Sequence, residues 1–378
     1  MGPALLATGI ITCVTALAYS GLILFFFFGW RKLHRQGNGI RTGTGMKVSV
    51  IIAARNEDEN IGPLMGSLAS QDYPRDLTEV IIVDDGSDDG TAALANDFIV
   101  KHGLLQWKVL QRNGENGTGS KKEAITMGVR AARGEIILVT DADCSIPQGW
   151  ITSMLGRFAD EQTKMVAGPV AVKGAEGLAG KFQSLEFLGL VASGAGAVGA
   201  GQPFLCNGAN LAYRKAAFQE VDGYRGNERF RSGDDVFLLH KLKAAYGNRA
   251  IAFAFDRKAL ITTAPAGNFG AFLRQRARWA SKSPGYSDVL SIFTALLVLL
   301  LSLLIVFCLV AGFFDPIYFL VFTVLVIFKS LSDLPLMLGI TKFAGELRLL
   351  KWLLLFEAAY PFYVLVAAFI SLFWRRKW

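Results

Sequence analysis

Asp141-Ala142-Asp143 closes an apolar, β-branched run, Glu135-Ile136-Ile137-Leu138-Val139-Thr140. Two carboxylates one residue apart at the C-terminal end of a strand can hold a hard divalent cation between them and a phosphate. In open α/β sheets that end is where ligands bind. Asp-x-Asp is also a common solvated turn, so the triplet takes its meaning from its neighbours. Val83-Asp84-Asp85-Gly86-Ser87-Asp88-Asp89-Gly90-Thr91 follows another apolar run. It reads either as a tight turn leading into a helix or as a place where Asp84 or Asp85 accepts hydrogen bonds from a nucleotide base or ribose. Ala54-Arg55-Asn56-Glu57 ends a third run. There Arg55 suits a phosphate and Glu57 a nucleoside, or the two form a plain loop salt bridge.

Ser120-Lys121-Lys122-Glu123 has capping-box spacing, with serine at the N-cap and glutamate three residues on. Its two lysines then sit at the positive end of the helix dipole, a mismatch costing under about 1 kcal/mol. Either both are solvated, or a phosphate at the helix N-terminus compensates, with Lys121 as an extra cation. Arg231-Ser232-Gly233-Asp234-Asp235-Val236 opens another helix. Acidic residues in a first turn complement the dipole; the chemical reading makes Asp235 a general base. The helix terminus lowers its pKa while Asp234 raises it. A base for a hydroxyl need only be ionised at neutral pH and within hydrogen-bond reach. Gln275-Arg276-Ala277-Arg278-Trp279 completes the set. Phe269, Phe272, Leu273 and Trp279 share a helical spacing with arginines between them, the pattern of a helix lying on a membrane surface. The Trp279 indole could also stack on a sugar face, and Arg278 could reach a pyrophosphate.

These residues need a scaffold, and the pattern between 48 and 285 supplies one. Strands are predicted at 48–52, 79–83, 107–110 and 135–140, with helices at 60–70, 91–101 and 121–133 between them. Strands alternating with helices imply a mostly parallel sheet covered on both faces, an α/β fold. About 240 residues suffice for a full core. The Gly- and Ala-rich stretch from Gly174 to Gly201 reads as a helix, either on a membrane surface or buried.

The rest of the chain is apolar. Of 378 residues, 52% are hydrophobic, more than an ordinary soluble enzyme carries. Residues 2–30 carry no charge and are followed by Arg31, Lys32 and Arg35. That reads as an uncleaved anchor spanning 1–30, with the next segment cytoplasmic by the positive-inside rule. Residues 289–313, 317–339 and 352–373 each have the length of a membrane span, giving a C-terminal region at 287–374 of about three apolar segments. Lys329, Asp333 and Glu357 fall inside them, and such charges face protein or water. The net charge of +8 gathers beside the apolar segments, at Arg31, Lys32, Arg35, Arg41, Arg274, Arg276, Arg278 and Lys282. It fits anionic membrane lipids, and no motif supports nucleic-acid binding. The four cysteines show neither disulfide nor zinc spacing.

In order, Asp84-Asp85-Gly86, Asp141-Ala142-Asp143, Gly233-Asp234-Asp235 and Gln275-x-x-Arg278-Trp279 resemble glycosyltransferase family 2, in its membrane-integrated branch. That branch includes ceramide glucosyltransferases and cellulose, chitin and hyaluronan synthases. The resemblance implies a GT-A fold over 48–285, with a membrane-surface helix near 269–282, and an inverting, metal-dependent mechanism using Mg²⁺ or Mn²⁺. It implies that Arg55, Glu57, Asp84, Asp85, Lys121 and Asp141 serve the nucleotide sugar. Asp141 and Asp143 would hold the metal, and Asp235 would be the base. Gln275, Arg278 and Trp279 would close over the donor and acceptor, with Asp234, Asn207 and Trp279 on the acceptor side. Gly-Asp-Asp replaces the Thr-Glu-Asp of cellulose synthases, which speaks against cellulose. Three apolar segments are few for a polymer channel, which favours a lipid-linked or membrane-associated glycan acceptor, or a partner membrane protein. The expectation is thus a multi-pass enzyme of the cell membrane using a UDP-sugar. The alternatives are a processive polysaccharide synthase and a non-catalytic scaffold or transporter subunit.

Overall fold

The computed structural model describes residues 3–37, 45–112, 120–226 and 233–373. Arg41, the Arg231-Ser232 start of the third motif and the terminal Arg375-Arg376-Lys377 lie outside the described residues. The chain forms two compact units, one of residues 33–173 and 205–264, the other of residues 1–32, 174–204 and 265–378. The expected 48–285 domain is therefore divided: 174–204 and 265–285 group with the apolar helices.

After the long helix α1 (Pro3–Gln36), the first unit begins as alternating strands and helices. These are β1 (Val48–Ala54), α2 (Asp58–Ala69), β2 (Thr78–Asp84), α3 (Thr91–Lys101), β3 (Trp107–Gln111), α4 (Lys121–Ala131) and β4 (Ile136–Asp141). Then come α5 (Trp150–Leu155), β5 (Met165–Ala167) and β6 (Val170–Val172). After α6 (Gly177–Gly199), which belongs to the second unit, the chain returns as β7 (Leu211–Arg214), α7 (Lys215–Glu220), α8 (Asp234–Tyr246), β8 (Ile251–Phe253) and β9 (Ile261–Thr263). The sheet order is β3-β2-β1-β4-β7-β5-β8, with β6 and β9 as a separate pair. β7 alone runs antiparallel to its neighbours. Ile51, Ile52, Ile81, Ile82, Ile137 and Leu138 are fully buried. A sheet covered on both faces explains why these strands read as continuous apolar runs.

Register decides where the polar residues fall. Ala54 pairs with Asp84 across β1 and β2, and Ala53 with Asp141 across β1 and β4. The acidic pairs thus share one edge of the sheet. The strand order reverses direction between β1 and β4, and the crevice outside such a switch point is where open α/β sheets bind ligands.

The second unit holds α1, α6, α9 (Phe269–Ala280), α10 (Val289–Ala311), α11 (Ile317–Ala344) and α12 (Leu353–Leu372). Four segments, 6–36, 289–311, 317–344 and 347–372, are long and apolar enough to cross a membrane. The glycines of α6 have a packing role. A Cβ on Gly29 of α1 would lie 1.9 Å from the Gly196 carbonyl oxygen, and one on Gly196 would lie 2.3 Å from the Phe26 carbonyl oxygen. Small residues let two backbones touch at a helix crossing. Phe182, Leu185, Phe187 and Leu188 of α6 are buried, so its buried reading holds. The charges within the apolar helices find one another. Lys329 donates to Asp333 at 2.8 Å and also pairs with Glu357, while the Tyr19 hydroxyl donates to Asp333 at 2.8 Å.

Candidate active site

The edge beyond β1, β2 and β4 is laced together by its own loops. Asn56 adopts a left-handed φ of 56°. Its amide donates to Ser87 Oγ at 3.0 Å, and its side-chain oxygen accepts from the Asp88 amide at 2.9 Å. The Glu57 amide donates to Thr91 Oγ1 at 2.8 Å. Gly86 supplies the positive φ, 74°, that turns the chain after Asp85. Asp84 accepts from Ser87 Oγ at 2.5 Å, so the turn reading is correct for that side chain as far as it goes. Asp85 is held by Arg112 at 2.5 Å, and the same guanidinium reaches Glu123 at 2.7 Å. Both aspartates are buried, while Arg55 is exposed.

The capping box expected at Ser120 does not form. Ser120 makes no side-chain cap hydrogen bond, and Glu123 pairs with Arg112. Nor are the two lysines left to solvent. Lys121 pairs with Asp141, and Lys122, itself buried, lies 3.3 Å from Asp234. The start of α4 thus sets one cation against each of two acidic motifs, at Asp141 and Asp234, which answers the dipole mismatch seen in the sequence. Desolvation opposes the charge on Lys121, whose side chain stays 40% exposed, but Asp141, followed by Asp234 and Asp235, holds its ammonium above the ordinary lysine value.

Asp143 accepts from Thr263 Oγ1 of β9 at 2.8 Å. Glu57 lies near enough to the pair to feel it. Burial pushes its carboxyl up, and the charges of Asp143 and Asp141 push it further, against the Asn60 hydrogen bond. Cys144 is buried beside both aspartates, and its thiol is driven up, first by burial and then by their charges. Among the described residues, no group of three or more His, Cys, Asp or Glu is arranged to hold a metal ion alone. The Asp141–Asp143 donor set nevertheless fits Mg²⁺ or Mn²⁺. Such ions are bound through one or two carboxylates, with substrate phosphates and water completing the shell.

Asp235 is fixed from two sides. The Gly208 amide donates to Oδ2 at 2.9 Å and the Val236 amide to Oδ1 at 2.8 Å. Gly233, at φ 90°, supplies the left-handed residue that starts α8 there. Asn207 and Gly208 stand in a turn closed by Asn210, whose amide donates to the Asn207 carbonyl at 3.1 Å. Asn210 is fully buried. Its side chain accepts from Trp150 Nε1 at 2.9 Å and donates to the carbonyls of Pro169 and Ala259 at 2.8 Å each. Burial raises the Asp234 carboxyl above its ordinary value, against the pull of Lys122 and with the help of Asp235.

Gln275, Arg278 and Trp279 lie on α9 in the helical unit. Two of the basic residues assigned to anionic membrane lipids, Arg276 and Lys282, are buried. Arg276 does not face lipid headgroups but is buried, paired with Glu186 of α6 at 2.5 Å. Arg112, Thr263 and Gly208 join the site residues without a role assigned to them in the sequence, as does Lys122, which the sequence named only as a lysine at a helix start. The dipole mismatch was the one signal that pointed toward Lys122.

An α/β sheet carrying acidic pairs at its switch point defines a nucleotide-binding type of enzyme fold. The Glycosyl transferase family group 2 model matches residues 136–374, and the Glycosyl transferase family 2 model matches residues 49–222. The chain belongs to this family. It is similar to the beta-monoglucosyldiacylglycerol synthase of Synechocystis sp., 35% identical over 113 residues, which is 30% of this chain and 23% of that protein. It is also similar to the poly-beta-1,6-N-acetyl-D-glucosamine synthase of Staphylococcus epidermidis, 26% identical over 254 residues, 65% of this chain and 55% of that one. The mannosyltransferase PcManGT from Pyrobaculum calidifontis, solved with GDP-Man and Mn²⁺, shares the fold. It has a TM-score of 0.58 and 20% identity, covering 98% of this chain and all of its own.

Proposed function

We propose that this protein transfers one sugar from a nucleotide-sugar donor, a UDP-sugar, to a lipid-linked or membrane-associated glycan acceptor, with inversion at the anomeric carbon. The observation that carries this reading is the registered edge at which Asp84 and Asp141 flank β1 while α4 sets Lys121 against Asp141 and Lys122 against Asp234. Asp84, Asp85 and Glu57 serve the nucleoside, and Arg55 and Lys121 the phosphates. Asp141 and Asp143 hold Mg²⁺ or Mn²⁺, which when bound neutralises charge on the diphosphate leaving group. Asp235 takes the acceptor hydroxyl proton as that oxygen attacks the anomeric carbon and the bond to the diphosphate breaks. The two amides on Asp235 hold its carboxylate in one orientation. A single displacement with one base gives inversion. By analogy with glycosidases, retention through a covalent intermediate needs a second, nucleophilic carboxylate. Asn207 and Asp234 belong to the acceptor side. Gln275, Arg278 and Trp279 are assigned to donor and acceptor from the family motif. The four apolar helices anchor the protein in the cell membrane with the sheet unit cytoplasmic, in keeping with Arg31, Lys32 and Arg35 at the C-terminal end of α1.

The experiment is nucleotide release from a panel of UDP- and GDP-sugars by the purified full chain with membrane lipid extract, before and after exhaustive chelation. Activity lost on chelation and restored by Mn²⁺ is expected. Activity that survives chelation removes the metal role of Asp141 and Asp143.

A further inference from the structure

We propose that Arg276 is a positioning residue, anchored by Glu186 and Tyr363, that sets the orientation of Gln275 and Trp279 on α9. The inference rests on the reading above that Gln275 and Trp279 meet the substrates.

The geometry is specific. Arg276 Nε lies 3.1 Å from both oxygens of Glu186, and Nη2 lies 2.5 Å from Oε2. The Tyr363 hydroxyl of α12 donates to Glu186 Oε1 at 3.0 Å. The remaining arm, Nη1, donates to Gln275 Oε1 at 2.6 Å. The guanidinium carbon sits 4.1 Å from the centre of the Trp279 ring. Arg276 and Glu186 are each 4% exposed at the side chain. One planar fork therefore binds the carboxylate, the glutamine and the indole face at once. A lysine, with a single compact charge, cannot make all three contacts.

The chemical consequence falls on Gln275. Its carbonyl oxygen is taken by Arg276, so its amide nitrogen is the end left to recognise a ligand, and it recognises by donating. Arg276 thus makes Gln275 a donor toward sugar hydroxyl or phosphate oxygens. A buried ion pair alone is weak grounds for a stability role. The third arm on Gln275 and the stacked indole are what point to orientation.

Three variants test this in the full-length protein in detergent. Arg276→Lys keeps the charge and loses the fork, and Tyr363→Phe removes one hydrogen bond from the anchor. Gln275→Glu keeps the bond to Arg276 but presents only acceptors. Arg276→Lys and Gln275→Glu are expected to lower nucleotide release with lipid extract at least tenfold. Tyr363→Phe is expected to have a smaller effect, and the donor KM should change little. In the Gln275→Ala background, Arg276→Lys should cost less than in the parent protein, because part of its effect runs through Gln275 and only the Trp279 contact remains. Losses that add in the double variant mean a merely structural role and overturn the proposal, as does full activity in Gln275→Glu. A second readout needs no substrate. With the seven tryptophans replaced by 5-fluorotryptophan, the ¹⁹F resonance lost in Trp279→Phe should shift in Arg276→Lys and in Glu186→Gln. An unmoved resonance overturns the positioning. If instead Gln275→Ala and Trp279→Ala turn over normally, the substrate role of α9 fails, and the ¹⁹F shift alone decides the positioning.

Discussion

Asp235 and Asp234 are neighbours with different surroundings. Asp235 takes two backbone amides, from Gly208 and Val236, whereas Asp234 is buried against the Lys122 ammonium. Asp235→Asn should lower transfer by about 10²–10⁴-fold. Nucleotide affinity, measured by calorimetry with UDP, should stay near that of the parent protein. Burial already raises the Asp234 carboxyl, and Lys122 opposes that rise. Lys122→Gln removes the opposition, so the carboxyl rises further and the acid limb of the pH–activity profile should move to higher pH. An unmoved limb would uncouple Asp234 from turnover. Asp84, Asp85, Asp141, Asp143 and Asp235 were legible in the sequence because each ends a strand pattern or begins a helix. Their partners were not. Arg112 and Lys122 meet their aspartates only through the sheet register and the placement of α4, which no local spacing encodes.

Among the elements, the four strands β1 to β4 were read within a residue or two, since buried β-branched runs are short and bounded by turns; the three-residue strands β5, β6, β8 and β9 were not read. α6 was ambiguous because glycine and alanine give no apolar stripe. Their purpose is the contact with α1, which is tertiary. Gly29→Ala would place a methyl 1.9 Å from the Gly196 carbonyl oxygen, where backbone cannot yield cheaply. It should destabilise the protein by about 1–3 kcal/mol, the range for overpacking, seen as a lower unfolding temperature in detergent. The polar cluster joining α1, α11 and α12 makes a contrasting case. Lys329→Met strands two buried carboxylates, Asp333 and Glu357, and should cost about 3–5 kcal/mol. Replacing all three with apolar residues of similar volume should recover most of that loss, because each charge is there to satisfy the others. Thermal unfolding of the single and triple variants compares them directly.

On the scale of the whole molecule, the sheet unit carries the acidic motifs and the helical unit carries Gln275, Arg278 and Trp279 together with the four long apolar helices. The long apolar helices were legible in the sequence by their length and apolar composition. The sequence could not show that 174–204 and 265–285 group with those helices, since α6 falls below the apolarity of a span and α9 is amphipathic. That grouping puts Gln275, Arg278 and Trp279 in the unit with the four long apolar helices, while Asn207 and Asp234 stay in the sheet unit. The most direct measurement is mass spectrometry of the product formed by the purified full-length protein with nucleotide sugars and membrane lipid extract, run beside Asp235→Asn. The account predicts a lipid or membrane glycan heavier by one sugar, formed by the parent protein and absent with the variant. A ladder of many added sugars, or the same product from Asp235→Asn, would contradict it.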